Sequence, residues 1–331
     1  MNSLVLEAKG KAMVFREIPT PLLMKGLVEI RVKAAAINHR DLWITKGKYA
    51  GIKYPMVLGS DGSGIVERVG NGVSSDLIGK EVLINPSMNW GEEAGFQGKD
   101  FKILGLPDFG TLSELVVVPE EAVYAMPEHL SYVQAAALPL AGLTAYRALF
   151  GRAKVGPGDK VLVTGAGGGV AQFAIQFALA IDCEVWVTSG KAEKIERAVG
   201  MGAAGGGNYK EQGWGKTLKA KSGAFDVIID GAGGAGFGDL IDLAAPGARI
   251  AIYGGTGGAI ESISPQKIFW KQVSILGTTM GSPSDFHNML GLVIKHKIVP
   301  VIDEVFPFKK AKHAFAKMQE GTQVGKLVVE M

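Results

Sequence analysis

The chain has 331 residues, 47% of them apolar and 20% charged, with a formal net charge of +3. That size and balance predict a globular protein of two domains with an ample core. The charge is small and scattered, with no basic run to suggest nucleic acid. No apolar stretch reaches the ~18 residues of a membrane span, and the N-terminus has no leader-like segment, so the expectation is a cytoplasmic protein without a membrane or nucleic-acid partner. The single cysteine, Cys183, can make neither an internal disulfide nor a multi-cysteine metal site, and it reads as a small buried residue inside a strand.

In chain order, residues 1 to about 125 carry short alternating runs such as Leu27–Lys33 and Gly64–Val69, separated by glycine turns. This pattern predicts a mostly antiparallel β domain. The segment from Ser131 to Phe150 is helical in character. From residue 160 onward, apolar strands around Val161, Val185, Val227, Ile250 and Val273 alternate with helical stretches, as in a doubly wound parallel sheet. The tail from about Pro300 to Met331 returns to strand-like runs around one amphipathic helix and is expected to complete the first domain. The predicted division is therefore 1–125, completed by 300–331, and 126–299.

The most informative segment is Lys160 to Ala180. A β-branched strand runs into Gly165-Ala166-Gly167-Gly168-Gly169, and then into a helix with Val170, Phe173, Ala174, Phe177 and Ala178 on one face. Glycines permit a tight turn and close backbone approach, and the helix N-terminus offers N–H groups to a pyrophosphate. Gly167, Gly168, Gly169 and Val170 are thus candidate dinucleotide contacts. The next strand runs from Cys183 to Thr188, and just past its tip an NAD-selective fold would carry a carboxylate for the ribose 2′-hydroxyl. Here Ser189, Lys191 and Lys194 stand instead, and a hydroxyl with two cations suits a 2′-phosphate, so NADPH is the expected cofactor.

Together with Ala36–Trp43, Gly59–Gly70, Leu138–Tyr146 and Gly325–Val329, this segment makes the chain resemble the medium-chain dehydrogenase/reductase superfamily nearly end to end, in its zinc-free quinone-oxidoreductase-like branch. The resemblance implies an α/β fold: a GroES-like β-rich catalytic domain, a Rossmann domain, and hydride transfer in a cleft between them. It also implies that Thr144 lies near the nicotinamide phosphate and that Tyr209 packs beside the adenosine phosphate. Family members often form homodimers through an edge strand of the Rossmann sheet, here Val273–Gly277. By the strand-end rule, Gly231, Gly254, Gly255 and Thr278 should line the ribose and nicotinamide.

Zinc-dependent members carry Cys-His-Thr-Asp and Gly-His-Glu motifs, and the corresponding places here read Asn38-His39-Arg40-Asp41 and Gly59-Ser60-Asp61. The lobe that would hold a structural zinc, Asn85–Gly105, has no cysteine. Tetrahedral zinc takes nitrogen, sulfur or carboxylate ligands at about 2.0–2.3 Å, so no metal is expected. Without that Lewis acid, oxidation of a simple alcohol is disfavoured. Hydride transfer to a small-molecule conjugated acceptor, a quinone first, needs only orientation and hydrogen-bond donors. Asn38 and Arg40 are candidates to polarise its oxygen, and Trp43 and Tyr49 to stack on it. Two alternatives stay open: an enoyl or 2-alkenal C=C reductase, and a non-catalytic NADPH-binding protein.

Overall fold

The alternating pattern of the first 125 residues folds into β1 (Asn2–Leu6), β2 (Val14–Glu17), β3 (Leu27–Ile37), β4 (Met56–Val57), β5 (Asp61–Val69), β6 (Glu81–Ile84), β7 (Ser87–Met88), β8 (Lys102–Ile103), β9 (Leu115–Pro119) and β10 (Val123–Ala125), with α1 (His39–Thr45) between β3 and β4. These ranges come from a computed structural model that describes residues 1–261 and 263–331. β3 is the organising strand. It pairs antiparallel with β5 and β9, and its apolar residues Ile30, Ala35 and Ile37 enter a core with Leu4, Ile44 and Leu58.

The helical run that follows is broken by Pro139, which has no N–H to continue a ladder but suits a first turn. It therefore forms α2 (Tyr132–Ala137) and α3 (Pro139–Tyr146), followed by a π-helical segment Arg147–Arg152.

Next come β11 (Lys160–Val163), α4 (Gly169–Leu179), β12 (Glu184–Ser189), α5 (Ala192–Gly200), β13 (Gly205–Asn208), α6 (Trp214–Ser222), β14 (Phe225–Asp230), α7 (Phe237–Leu243), β15 (Ala244–Ile252), α8 (Pro265–Lys271) and β16 (Ser274–Gly277). All five pairings in this sheet are parallel, in the order β13-β12-β11-β14-β15-β16. That is a Rossmann sheet whose order reverses between β11 and β14. Val161, Leu162 and Val163 are fully buried, as expected for a parallel strand covered on both faces. α4 buries Phe173, Ala174, Phe177 and Ala178, while Val170 is only half-buried at its N-terminal turn.

The chain closes with α9 (Pro283–Lys295), β17 (Ile302–Pro307), α10 (Ala311–Glu320) and β18 (Lys326–Glu330). β18 pairs antiparallel with β3, Leu327 opposite Ile37, so the tail belongs to the first domain's sheet.

The contacts divide the chain into Met1–Ala141 with Gly281–Met331, and Gly142–Met280. The boundaries drawn from the sequence, 125/126 and 299/300, thus both shift. α2 packs Ala136 and Ala137 against Ala34, Ala36 and Val328 of the β-rich unit. α9 places Phe286 against Tyr124 of β10, ring centroids 4.6 Å apart. Helical periodicity shows that a face is buried but not which sheet covers it. Cys183 also moves: it precedes β12 by one residue. It is buried, its Sγ donates to Gly156 O at 3.3 Å, and burial, with Asp159 and Asp182 nearby, raises the thiol pKa to about 11. Among the described residues, no helix is long and apolar enough to cross a membrane.

Candidate functional site

In the Rossmann unit, parallel register brings the carboxyl ends of six strands to one edge. Gly165 follows β11 with φ +66°, and a Cβ there would meet nothing within 4 Å. The turn thus needs glycine for its backbone and leaves open space above it. Gly168 is the N-cap of α4 and gives no side-chain cap, so first-turn N–H groups remain available to an anion. Gly167, Gly168 and Gly169 lie where the sequence placed them, but the turn residue with positive φ, Gly165, was not singled out.

Asp230, at the end of β14, ties neighbouring loops together. Its carboxylate accepts from Thr164 Oγ1 at 2.6 Å, Gly233 N at 2.8 Å and Ala232 N at 3.2 Å, and it is 1% exposed. Gly231 beside it has no room for a side chain, since a Cβ would come within 2.4 Å of the Tyr253 hydroxyl oxygen. Burial, reinforced by the Asp230 charge, pushes the Tyr253 pKa up and keeps that phenol neutral. Gly254 faces Gly231 O, whereas Gly255 is open. Thr278 follows β16; its N–H donates to Ile252 O, and its Oγ1 is buried without a hydrogen-bond partner. Thr144 is buried in α3. Open turn, uncapped helix and orphaned hydroxyl all fit a dinucleotide.

At the tip of β12, Ser189 is buried and its Oγ accepts from Lys191 N at 3.2 Å. Lys191 is half-exposed and forms a 3.6 Å pair with the more exposed Glu193. Lys194 differs: it is 8% exposed, on the inner side of α5 rather than on a solvated face. Tyr209 follows β13, donates its N–H to Ser189 O at 3.2 Å, and is half-exposed. A Cβ on Gly190 would approach the Tyr209 hydroxyl and the Lys210 stem, so these side chains gather over the strand tip.

In the β-rich unit, Asn38 caps α1 by donating its N–H to Asp41 Oδ2 at 2.8 Å. Its side chain is engaged at both ends: Nδ2 donates to Asp61 Oδ2 at 2.9 Å and Oδ1 accepts from Lys326 Nζ at 2.5 Å. Lys326 Nζ also reaches Asp61 Oδ2 at 2.9 Å, and Asp61 Oδ1 accepts from Leu140 N at 2.8 Å. Arg40 Nη1 donates to Ser60 Oγ at 2.6 Å and Leu104 O at 2.9 Å, and its guanidinium carbon lies 5.3 Å from the Tyr49 ring centroid. Asp41 is fully buried; desolvation raises its pKa, opposed by Arg40 at 3.9 Å. Trp43 is half-buried under Lys48, whose Nζ lies 5.4 Å from the ring. The structure thus joins Arg40 with Tyr49 and gives Asn38 a network of its own.

The superfamily's zinc does not fit these residues. An amide (Asn38) and a hydroxyl (Ser60) stand where the zinc motifs carry cysteine and histidine. The hydroxyl is taken up by Arg40 and Leu104 O, and a lysine ammonium already sits on the amide and the Asp61 carboxylate. Among the described residues, no three His, Cys, Asp or Glu side chains come together. The lobe from Asn85 to Gly105 is closed by other means: β7 pairs with β8, Trp90 packs edge-on to Phe101 at 5.4 Å, and Trp90 Nε1 donates to Glu93 O. Asp61 and Lys326 escaped the sequence reading as site residues. The Gly325-Lys326 pair was visible, but nothing local linked it to Asn38.

Comparisons with known proteins agree with this architecture. Residues 24–128 match the alcohol dehydrogenase GroES-like domain family, and residues 169–295 the zinc-binding dehydrogenase family. The chain is 36% identical over 326 residues to a zinc-type alcohol dehydrogenase-like protein, YogA, of Leptosphaeria maculans, covering 92% of this chain and 90% of that one. It is 29% identical over 325 residues to the quinone oxidoreductase of Mus musculus, covering 95% and 92%. A crystal structure of an NAD-dependent alcohol dehydrogenase superposes with a TM-score of 0.95 at 36% identity, over 100% of both chains.

Proposed function

This chain belongs to the medium-chain dehydrogenase/reductase superfamily, and from that premise we propose that it is an NADPH-dependent reductase that delivers hydride to a quinone or other conjugated carbonyl without zinc. At the coarser level it is an NAD(P)-dependent oxidoreductase, as its relatives are. The observation that carries the finer reading is the Lys326–Asn38–Asp61 network. Asn38 and Ser60 stand where the zinc-type motifs carry cysteine and histidine, and Lys326 Nζ already bonds the Asn38 amide and the Asp61 carboxylate, which supports a reaction without a Lewis acid to stabilise an alkoxide.

The cofactor supplies the hydride; the chain's residues bind and orient it. The α4 N-terminus and the Gly165–Gly169 turn receive the pyrophosphate. Ser189, Lys191 and Lys194 receive a 2′-phosphate, Tyr209 covers the adenosine end, and Thr278, Gly254 and Gly255 line the nicotinamide end. Arg40 and Tyr49 face the acceptor.

We further propose a homodimer through the β16 edge. That edge strand exposes Ile275, and the preceding α8 leaves Phe269 62% and Trp270 84% exposed, more apolar surface than a free edge usually shows.

The reaction is tested by NADPH oxidation against a benzoquinone and naphthoquinone panel, with enones and enals as the second panel and ethanol as control. Quinone turnover with inert ethanol is the expected result. Alcohol oxidation by metal-free protein, with quinones and enones inert, would overturn it. Turnover of enals alone would move the assignment to C=C reduction.

A further inference from the structure

A pocket of about 380 Å³ opens within the β-rich unit, walled by Arg40, Tyr49, Lys53, Phe101, Lys102 and Leu106. Its lining contains no carboxylate of its own. Two aromatic rings and the apolar side chains of Ile103, Leu106 and Pro107 form its body, and three cationic side chains reach it.

Arg40 is the unusual member. It is 8% exposed, and both of its hydrogen bonds leave from Nη1, so its Nε is buried without a partner. Buried donors of this kind are rare, and each calls for an explanation. Its charge is also poorly matched. Ser60 Oγ and Leu104 O are neutral acceptors, and the nearest carboxylate, Asp41, lies 3.9 Å from Nη1. That same carboxylate already accepts from Asn38 N, and from Gly59 N at 3.4 Å. Burial raises the pKa of Asp41, which weakens it further as a counterion.

A buried, charged, under-bonded guanidinium at the wall of a pocket is a prepared site for an oxyanion, because the planar fork of a guanidinium matches a carboxylate. Lys53 at the exposed rim adds a second cation, whereas Lys102 is held by Asp108 at 2.5 Å.

We propose that this pocket binds planar conjugated carboxylates, the carboxylate on Arg40 and Lys53 and the flat body against Tyr49 and Phe101. Resting on the reductase reading above, this makes the physiological acceptor an acid-bearing quinone or enone rather than a neutral one.

The site is tested apart from the reaction with redox-inert probes. Naphthalene-2-carboxylate and naphthalene-2-carboxamide are titrated calorimetrically into cofactor-free full-length protein. The acid should bind about tenfold or more tightly than the amide, the scale of one charge-assisted contact. Arg40→Gln should erase that preference, and Arg40→Lys, which keeps the charge but not the fork, should restore part of it. Because Arg40 also holds Ser60 and Leu104, the exposed Lys53→Gln variant serves as the second test and should lower the preference about threefold. Equal binding of acid and amide by the unmodified protein, or a preference unchanged in Lys53→Gln and Arg40→Gln alike, would overturn the site. In NADPH oxidation assays the acid should compete with the acceptor, and binding without competition would also sink the proposal. If no acceptor is reduced while the acid preference and its loss in the variants persist, the site stands and the reductase reading falls.

Discussion

Lys326, the first residue of the last strand, holds Asp61, the first residue of β5, in a 2.9 Å ion pair with side chains 4% and 0% exposed. Asn38 joins them through both ends of its amide. Removing one partner from such a pair leaves an uncompensated buried charge, which costs about 3–5 kcal/mol, whereas removing both is far milder. Lys326→Met should therefore lower the urea midpoint strongly, and Lys326→Met with Asp61→Asn should recover most of the loss. A double variant no more stable than the single one would contradict this account.

The donor set around Asn38 and Ser60 predicts protein purified without stoichiometric zinc. Prolonged chelation should leave the thermal transition and the activity unchanged. Elemental analysis finding one zinc per chain, removed together with activity, would refute the assignment.

Cofactor choice should rest on Lys194 more than on Lys191. Lys194 is nearly buried on the inner side of α5, whereas Lys191 is half-exposed to solvent, where a charge contact is screened. A charge-assisted phosphate contact contributes roughly 1.5–3 kcal/mol, so Lys194→Ala should weaken NADPH binding by about tenfold or more and Lys191→Ala by less. NADH affinity should be unaffected by either. Equal affinity of the unmodified protein for NADH and NADPH, read by fluorescence titration, is the outcome that rules this out.

The cofactor loop should be intolerant at Gly165 for one reason and at Gly231 for another. Gly165→Val places a β-branched residue at φ +66°, a strain of roughly 1–3 kcal/mol. It also fills the open space above the turn. Gly231→Val instead drives a side chain into the Tyr253 ring. Gly165→Val should lose nucleotide binding with a modest fall in stability, while Gly231→Val should show a larger fall. Unaltered NADPH affinity in Gly165→Val would show that this turn does not receive the pyrophosphate.

Cys183 offers a pH test. Its thiol is raised from an ordinary value near 9 to about 11, so the native state holds the proton more tightly than the unfolded chain. The stability it contributes is fully present below about pH 9 and is lost as pH rises through about 11. Comparing the unmodified protein with Cys183→Ala should show a stability difference that shrinks across that window. Native protein at pH 8 should resist thiol labelling until denatured. Rapid labelling of the folded protein would disprove the buried, protonated assignment.

Several features were legible in the residues alone. The β-branched run at Val161–Val163, the glycine turn and the amphipathic α4 specify a Rossmann start because turn geometry and helical period are local properties. The alternation of strands with helices predicts the parallel sheet for the same reason. Even the return of the tail to the first domain could be expected from the strand-like run at Lys326–Val329.

Tertiary structure decided what sequence distance hides. The unit boundaries fall at Ala141 and Gly281 because α2 and α9 bury their apolar faces on the β-rich unit, and an apolar stripe does not name its partner. Asn38 reads from the sequence as a donor to the acceptor's oxygen, but β18 pairs with β3 and delivers Lys326 to it from 288 residues away. Arg40 reads as a second donor to the acceptor's oxygen, and only the fold shows that its hydrogen bonds go to Ser60 and Leu104 and that its Nε is left over. Local pattern sets which elements form, because backbone hydrogen bonding and side-chain period are short-range. Which charges meet, and which donor stays unpaired, depends on long-range strand pairing, and only the folded chain carries that.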